Sequence, residues 1–423
     1  IQLGAIASEI TLCGGESATD YIGIQQIDDM THYPENNVLR QIWQFLYEGV
    51  NRANYMEENK ANIDFEGKEA MYGEVYFLRA YYYFELVKFF GDVPLFTEAR
   101  LTAGQAGTLT RTPKDEVYAQ IELDLQNAIA SLPNSQSQVG RVNKYTAYAL
   151  LGKVLLYQDK FAEAASALDN VIGVYSLVSD YGSQFLRFGE NGPESVFEIQ
   201  YSNQSNWYDW GCAHCSEGNY AIIMNGPRGW SGPEYAQGWS FNVPTEEFYN
   251  SFEEGDSRRD ATVLDIEAFA AATGASYTEG YDHTGYFNNK YIPRAGESGG
   301  QTELNYLTNF RIIRYSDVLL MAAEAYNRGG IDDGLAQEFL NQVRRRAFGG
   351  DDNDISASGS ALTDAIWEER KFELSLEGHR FFDLVRTGRA SSLIAGFVEG
   401  KHEVFPIPQQ EVDISGLTQN AGY

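Results

Sequence analysis

The sequence predicts a mainly α protein in which a tetratricopeptide-like helical scaffold carries a loop-rich lobe. Apolar residues recur at helical spacing in several long segments of the 423-residue chain. Small residues in these segments have the spacing that lets paired helices stack as tetratricopeptide repeats. A long stretch rich in tryptophan and glycine, with neither a helical nor a strand period, separates the last pair from the others. The pairs are not contiguous, so we expect a scaffold with a long excursion and not a simple solenoid.

The first 37 residues are expected to form irregular structure. They are polar, and Gly14-Gly15 and Pro34–Asn37 are loop signals. Tyr33 lies in this predicted loop next to His32. Aromatic side chains in such loops more often cover the edge of a core than contact a ligand, and both interpretations stay open for Tyr33.

Two long helices, Val38–Glu58 and Gly67–Phe90, are predicted to follow, and the second opens the first of three helix pairs. The small residues of the three pairs are Ala80 with Ala128, Gly152 with Ala164, and Ala323 with Ala336. The first pair requires an insertion from about Gly91 to Thr112. Each pair buries little by itself, so stacking of the pairs would form the core.

The excursion between helix pairs runs from about Asp180 to Phe310. Residues 201–240 hold four of the six tryptophans, interleaved with glycines: Trp207, Trp210, Trp230 and Trp239. Long structured loops in compact proteins are usually functional. We therefore treat this region as the candidate ligand-binding segment.

A sugar ring presents an apolar C–H face to an aromatic ring and a rim of hydroxyls to amides, carboxylates or arginines. The stretch Asn206–Gly211 offers both kinds of group within six residues, and Trp230 is expected to be exposed on a flexible turn. Trp239 is expected to be buried. The residues that we expect to contact ligand are Trp207, Tyr208, Trp210 and Trp230. The alternative is that these rings pack against the helices.

Cys212 and Cys215 form a lone C-x-x-C motif. A structural zinc site needs four ligands, commonly from a second such pair, and a thioredoxin-type motif would open a helix. A disulfide that stiffens the tryptophan-rich loop is the favoured interpretation, with free thiols and a metal site as alternatives. Cys13 would be left without a partner.

The C-terminal part contains two predicted helices, Leu362–Leu376 with Thr363 as N-cap, and His379–Thr387 ended by Gly388. On the first, three carboxylates share one face at i, i+4, i+8: Glu369, Glu373 and Glu377. Like charges at this spacing repel, so basic partners are required. The candidate partners are Arg370, Arg380, Arg386, Arg344, Arg345 and Arg346.

The favoured interpretation of these carboxylates is an interhelical ion-pair network. A paired-carboxylate acid/base site, as in glycoside hydrolysis, is the alternative. Arginines lower the pKa of a neighbouring carboxyl group, whereas a general acid needs a raised pKa. We therefore predict a structural role.

The formal net charge of −29 argues against nucleic acid as a partner, because phosphate binding requires basic surface. No phosphate-binding glycine loop, H-E-x-x-H or G-x-S-x-G motif occurs. Asp351–Asp354 resembles a calcium loop loosely, without the glycine and glutamate that such a loop needs. We expect no cofactor, no metal and no catalytic residue.

Five collinear stretches resemble the SusD/RagB family of nutrient-binding lipoproteins from the surface of Bacteroidetes-type bacteria. They are Gly73–Leu95 (GEVYFLRAYYYFELVKFFGDVPL), Pro244–Thr262 (PTEEFYNSFEEGDSRRDAT), Arg311–Gly330 (RIIRYSDVLLMAAEAYNRGG), Trp367–Arg389 (WEERKFELSLEGHRFFDLVRTGR) and Phe405–Tyr423 (FPIPQQEVDISGLTQNAGY). The resemblance implies one SusD-like unit over 1–423. Its parts would be N-terminal tetratricopeptide-like helices at 38–179, the ligand-binding excursion at 180–310, the last helix pair at 311–348 and the C-terminal signature at 361–423.

The resemblance further implies a non-enzymatic binder of an oligosaccharide or polysaccharide. Such a protein would deliver its ligand to a SusC-like TonB-dependent transporter. It would lie on the extracellular face of the outer membrane, held by a lipid anchor upstream of Ile1, so Cys13 is not expected to be the anchor. The loop of Tyr33 borders the usual ligand face, which makes Tyr33 a further ligand-binding candidate. The alternatives are a peptide-binding lid of the same kind of importer, and a glycosidase that uses Glu369 or Glu373.

Overall fold

The structure is a computed structural model that describes residues 3–203, 217–298 and 304–423. Within these ranges helices dominate, and the predicted mainly α class is confirmed. The helices are α1 Leu3–Ile6, α2 Ile22–Asp28, α3 Asn37–Asn59, α4 Lys68–Phe90, α5 Lys114–Ser131, α6 Lys144–Leu156, α7 Phe161–Asp169, α8 Ala221–Met224, α9 Glu246–Asn250, α10 Arg258–Thr262, α11 Ile266–Thr273, α12 Tyr315–Arg328, α13 Asp333–Phe348, α14 Gly359–Leu374, α15 Arg380–Arg386, α16 Ala390–Leu393 and α17 Gln409–Ser415. The strands are β1 Thr11–Gly14, β2 Ser195–Ile199, β3 Arg228–Ser231, β4 Phe241–Pro244, β5 Val263–Asp265, β6 Ser276–Thr278, β7 Tyr286–Asn288 and β8 Phe310–Arg314.

The chain divides into two compact units. We call Met30–Val174 with Gly396–Tyr423 the helical unit, and Ile1–Asp29 with Tyr175–Ala395 the mixed unit. In the parts of the chain that are described, no helix is long and apolar enough to cross a membrane.

The helical unit contains α3 to α7, and its pairs form as the small-residue spacing predicts. Helix α3 begins where the Asn36 carboxamide oxygen accepts hydrogen bonds from the backbone N–H groups of Val38 and Leu39. Helices α6 and α7 approach so closely that a Cβ on Gly152 would lie 2.5 Å from Leu168 Cδ2. Only glycine allows this contact, which explains the small residue at that position of the repeat.

One buried ion pair joins α4 to α5 in the helical unit. The Arg79 guanidinium donates to both carboxylate oxygens of Asp124, at 2.8 Å and 2.7 Å. Both side chains are buried. The rest of this interface is apolar and aromatic, so the pair fixes the register of two helices whose other contacts are non-directional.

The mixed unit combines the helix pair α12 and α13 with four two-stranded antiparallel sheets among the described residues: β1–β4, β2–β8, β3–β6 and β5–β7. The strands are short, and aromatic clusters pack between them and the helices. One such cluster contains Tyr181, Phe185, Ile222, Ile223, Tyr291, Tyr306 and Phe310.

The expectation of irregular structure over the first 37 residues is wrong. Helix α1 is buried along its whole length, and α2 and β1 follow it. Strand β1 pairs with β4, so that Leu12 lies opposite Val243. A partner more than 200 positions away leaves no local signal, and four-residue elements are too short to show a period.

Helix α14 begins at Gly359, so the assignment of Thr363 as N-cap is also wrong. The Thr363 hydroxyl instead donates to the side-chain oxygen of Asn327 on α12. The predicted end of the second helix at Gly388 is confirmed, because this glycine follows α15 and adopts a left-handed φ of 69°. The first helix ends earlier than predicted, at Leu374, and the chain turns before Gly378 is reached, since Leu376 already has a left-handed φ of 64°.

Candidate functional site

Three of the five predicted ligand-binding residues, Trp207, Tyr208 and Trp210, lie outside the described residues, as do Cys212 and Cys215. The other two are described and belong to different units. Trp230 lies in the mixed unit and Tyr33 in the helical unit.

Trp230 lies on strand β3 and not on a flexible turn, and it is partly buried. Its ring centroid is 6.0 Å from those of Tyr235 and Phe269. A Cβ on Gly232 would lie 2.8 Å from the indole ring, so the backbone of the following turn packs closely on it. The indole is therefore held in one orientation by an aromatic cluster while part of its surface stays accessible.

One arginine contacts this aromatic cluster, and another lies on the same strand as Trp230. Arg228 on β3 donates to Asp20 at 2.8 Å. The Arg294 guanidinium lies 5.3 Å from the centroid of the Tyr235 ring and donates to the side-chain oxygen of Asn289 at 3.2 Å. The described part of the excursion thus combines aromatic surface with donors and acceptors, which is the combination that sugar recognition requires.

Trp239 packs against the aromatic cluster that contains Ile223 and Tyr291. Its expected burial is confirmed as partial burial. The region from 217 to 240 also contains α8 and β3, so the described part of the tryptophan-rich stretch is more regular than the sequence suggested.

Tyr33 is exposed on a loop whose neighbouring residues, His32 and Pro34, form hydrogen bonds with the C-terminal segment. Its ring keeps 47% of its accessible surface. The neighbouring His32 is buried, with Nε2 2.8 Å from the Tyr423 hydroxyl and its ring centroid 4.9 Å from that of Phe405. The Pro34 carbonyl accepts a hydrogen bond from the backbone N–H of Gln409 at 2.9 Å. The structure therefore presents Tyr33 from a fixed backbone, which lowers the entropy cost of a stacking contact.

Glu369 and Glu373 of α14, together with Glu377, form the predicted ion-pair network, and all of it lies in the mixed unit. The prediction that the three carboxylates share one helix face is wrong for Glu377, because α14 ends at Leu374 and Glu377 lies in the turn that follows. Glu373 accepts from Arg346 at 2.6 Å, from Arg314 at 2.8 Å and from Arg258 at 3.2 Å. Its side chain has no accessible surface. Burial by itself raises the pKa of Glu373, but the three guanidinium groups outweigh it and hold the pKa well below the ordinary value.

The two flanking carboxylates are paired in the same way. Glu369 accepts from Arg258 at 2.5 Å and from Arg344 at 2.8 Å. Glu377 accepts from Arg314 and from Lys290, each at 2.8 Å. Neither carboxylate is accessible, so neither reaches a glycosidic bond.

Only part of this network was found from the sequence. Of the candidate partners, Arg344 and Arg346 take part, whereas Arg345 pairs with Glu338 and Asp354. The remaining candidates bind other carboxylates: Arg370 binds Asp317 and Asp383, Arg380 binds Glu9, and Arg386 binds Glu324 and Asp383. The missed partners are Arg258, Arg314 and Lys290. Arg258 and Arg314 lie in two of the stretches that resemble the SusD/RagB family, and this resemblance could have marked them as candidate partners.

The Asp351–Asp354 loop offers little to a cation. Asp354 binds the Arg345 guanidinium at 2.5 Å. Among the described residues, no group of three or more potential metal-ligating side chains comes together.

A cavity of about 280 Å³ lies within the helical unit and was missed by the sequence analysis. Aromatic rings line it, and the Tyr47 and Phe96 rings stack with centroids 5.7 Å apart and an angle of 12° between the ring planes. The carboxylates of Glu48 and Glu411 also reach it. Its lining comes from α3, from the segment after α4 and from α17, and no local pattern links these three segments.

Comparisons with known proteins agree over the whole chain. Residues 193–396 match the family described as the SusD family, and residues 14–156 match a family described as starch-binding and associating with the outer membrane. SusD-like protein P2 of Formosa agariphila is 29% identical, over 94% of this chain and 83% of that protein.

Two solved structures have the same fold over nearly their full length. A laminarin-binding SusD-like protein is 37% identical with a TM-score of 0.91, over 100% of this chain and 94% of that one. Surface glycan-binding protein A from Bacteroides thetaiotaomicron, solved in complex with laminarihexaose, is 30% identical with a TM-score of 0.88. That match covers 99% of this chain and 93% of the other.

Proposed function

This chain belongs to the SusD family, and from that membership we propose that it binds laminarin or a related oligosaccharide at the outer surface of the outer membrane. The observation that carries the proposal is the 37% identity, over the full length of this chain, to a laminarin-binding protein. We propose that the chain delivers the glycan to a SusC-like TonB-dependent transporter, and that a lipid anchor upstream of Ile1 holds it to the membrane.

The ligand-binding residues that we propose are Trp207, Tyr208, Trp210, Trp230 and Tyr33. The partly exposed indole of Trp230, on the same strand as Arg228, supports its role, as does the presentation of Tyr33 from an anchored loop. The other three follow from the sequence pattern of the excursion at 180–310. The protein is proposed to bind without catalysis, because the carboxylates that the glycosidase alternative requires are buried in ion pairs.

Calorimetric titration with laminarihexaose tests the proposal. Glycan contacts are shallow and wet, so we expect binding on the order of micromolar to millimolar. Removing one stacking ring costs about 2 kcal/mol, which pushes such binding out of the measurable range. We expect Trp207→Ala, Trp210→Ala and Tyr33→Ala to lose detectable binding and to keep the melting temperature of the unaltered protein.

Tyr55→Ala is the matched control. Tyr55 is a tyrosine of the helical unit with the same 47% exposure as Tyr33, but it lies on helix α3. If Tyr55→Ala and Tyr33→Ala weaken binding equally, the effect is general and the role of Tyr33 is refuted. If the unaltered protein binds neither laminarin nor laminarihexaose, the glycan assignment itself fails.

Association with the transporter needs a separate measurement. Affinity purification of the tagged protein from native outer membranes should recover a TonB-dependent transporter in near-equal amount. Recovery of the lipoprotein alone under mild detergent would contradict the partnership and leave glycan binding untouched.

A further inference from the structure

The cavity of the helical unit has an unusual chemical lining. It combines aromatic rings with carboxylates, and none of the described residues that line it is basic. Trp43 is buried at its wall, with its ring centroid 4.8 Å from that of Tyr47. The Tyr47 hydroxyl donates to the Pro94 carbonyl at 2.8 Å, which fixes the ring. The wall is thus rigid on its aromatic side.

The two carboxylates of the cavity differ in their partners. Glu48 is exposed and pairs with Arg52 one helical turn away, at 2.5 Å. The Glu411 side chain accepts no hydrogen bond and forms no ion pair among the described residues, and burial raises its pKa. An unpaired, partly desolvated carboxylate in a protein is unfavourable, and a bound cation would relieve that cost.

Arg40 and Arg111, two basic side chains of the helical unit, donate hydrogen bonds to other groups. The Arg40 guanidinium donates to Gln410 at 3.2 Å. The Arg111 guanidinium donates to the backbone carbonyls of Asp92 and Thr418 at 2.8 Å and 3.2 Å. Neither arginine lines the cavity. The charge of Arg40 attracts the Glu411 carboxylate and partly offsets the effect of burial on its pKa, but among the described residues neither arginine forms an ion pair with Glu411.

We propose that this cavity binds an organic cation, with an ammonium or guanidinium group against Glu411 and an apolar stem against the aromatic wall. Aromatic faces attract cations, and the attraction grows when water is excluded. The size is suitable, since a cavity of about 150 Å³ already holds benzene. This function is separate from the proposed glycan binding, because none of the residues that line the cavity is among the proposed glycan-binding residues.

The free protein should be titrated with phenethylamine and with the neutral 2-phenylethanol, which has a similar shape. We expect the amine to bind at least about tenfold more tightly, because a hydrogen bond to a charged group adds about that factor. Glu411→Gln should remove the preference. Asp413→Asn removes the same charge from an exposed position two residues further along α17 and should preserve it.

A second variant tests the cavity without changing charge. Leu109→Trp places a large side chain at the cavity wall and should abolish binding of both compounds in a protein that still folds by circular dichroism. Equal affinity for the amine and the alcohol, or an unchanged amine affinity in Glu411→Gln, would overturn the proposal.

Further titrations ask two questions: whether the cation is a free amine or part of a basic peptide, and whether the cavity is distinct from the glycan site. A capped Ala-Arg-Ala peptide that binds more tightly than phenethylamine identifies a basic peptide segment as the source, and the reverse order identifies a free amine. Trp207→Ala should keep amine binding while it loses laminarihexaose. Competition between laminarihexaose and phenethylamine at Glu411 would assign the cavity to the glycan and refute a cation site.

Discussion

The buried carboxylates of the mixed unit and the cavity carboxylate of the helical unit have opposite surroundings. Glu373 is saturated by three arginines, and its pKa lies well below the ordinary value. Glu411 has no basic partner in its cavity, and its pKa is raised. A saturated carboxylate stabilises a fold and has no capacity left for a ligand, whereas an unsaturated one retains that capacity. The charged pattern that dominates the sequence is thus structural, and the less conspicuous carboxylate is a better candidate for binding.

The largest expected effect is at Glu373. Glu373→Ala leaves three buried guanidinium groups without a shared partner and should lower the free energy of unfolding by roughly 3–5 kcal/mol. Urea denaturation measures the loss. The control is Glu368→Ala on the same helix, where the side chain is 49% exposed and its one ion pair among the described residues is with Lys371. A loss of glycan affinity with an unaltered melting temperature would contradict the structural role of Glu373.

The second expected effect depends on pH. Glu324 on α12 is buried against Arg386, which overcomes the effect of burial and lowers the pKa of Glu324 from 4.5 to about 2. Its contribution, about 3 kcal/mol from this shift, is therefore fully present above about pH 4.5 and is lost as the pH falls toward 2.

The stability of Glu324→Gln, followed between pH 4.5 and 2, should fall less steeply than that of the unaltered protein. Glu66→Gln is the control, because it removes one carboxylate from an exposed position by the same substitution. Parallel pH curves for Glu324→Gln and the unaltered protein would show that Arg386 does not depress this pKa.

A third effect compares close packing with ion pairing, because α6 and α7 meet through the fit of Gly152 against Leu168. Gly152→Ala would force a methyl group to within 2.5 Å of Leu168. We expect a loss of about 1–3 kcal/mol by overpacking, measured by thermal denaturation. Gly350→Ala is the control, since nothing lies within 4 Å of the added carbon. A neutral Gly152→Ala would show that the helices can separate at no cost.

The smallest effect is expected at an exposed charge pair of the helical unit. Arg52 pairs with Glu48, but the two side chains are 79% and 55% exposed. Arg52→Ala should change the stability by less than about 0.5 kcal/mol, because water and salt screen such pairs. If Arg52→Ala lowered the stability as much as Glu373→Ala, burial would not explain why the buried ion pairs of Glu373 contribute more than the exposed pair of Arg52 and Glu48.

The long helices and their pairing follow from patterns that are local in the sequence. Val38–Glu58 and Gly67–Phe90 agree with α3 and α4 to within one residue at each end, because helical periodicity is local. The spacing of Gly152 predicted the close approach of α6 and α7. The spacing of Glu369, Glu373 and Glu377 predicted that basic partners must meet them, although Glu377 lies beyond the end of α14. Each of these inferences uses residues that are close in the sequence or lie in one helix pair.

Contacts between residues that are far apart in the sequence could be read from the folded structure alone. Strand β1 exists because β4 supplies its hydrogen bonds from more than 200 positions away, and Arg258 meets Glu369 across 111 positions. The cavity around Glu411 needs α3, the segment at Pro94 and α17 together. A contact across such separations depends on how helices and strands pack, and packing is set by the shapes of many side chains at once. The sequence therefore specified which groups require partners, and the fold specified which groups those partners are.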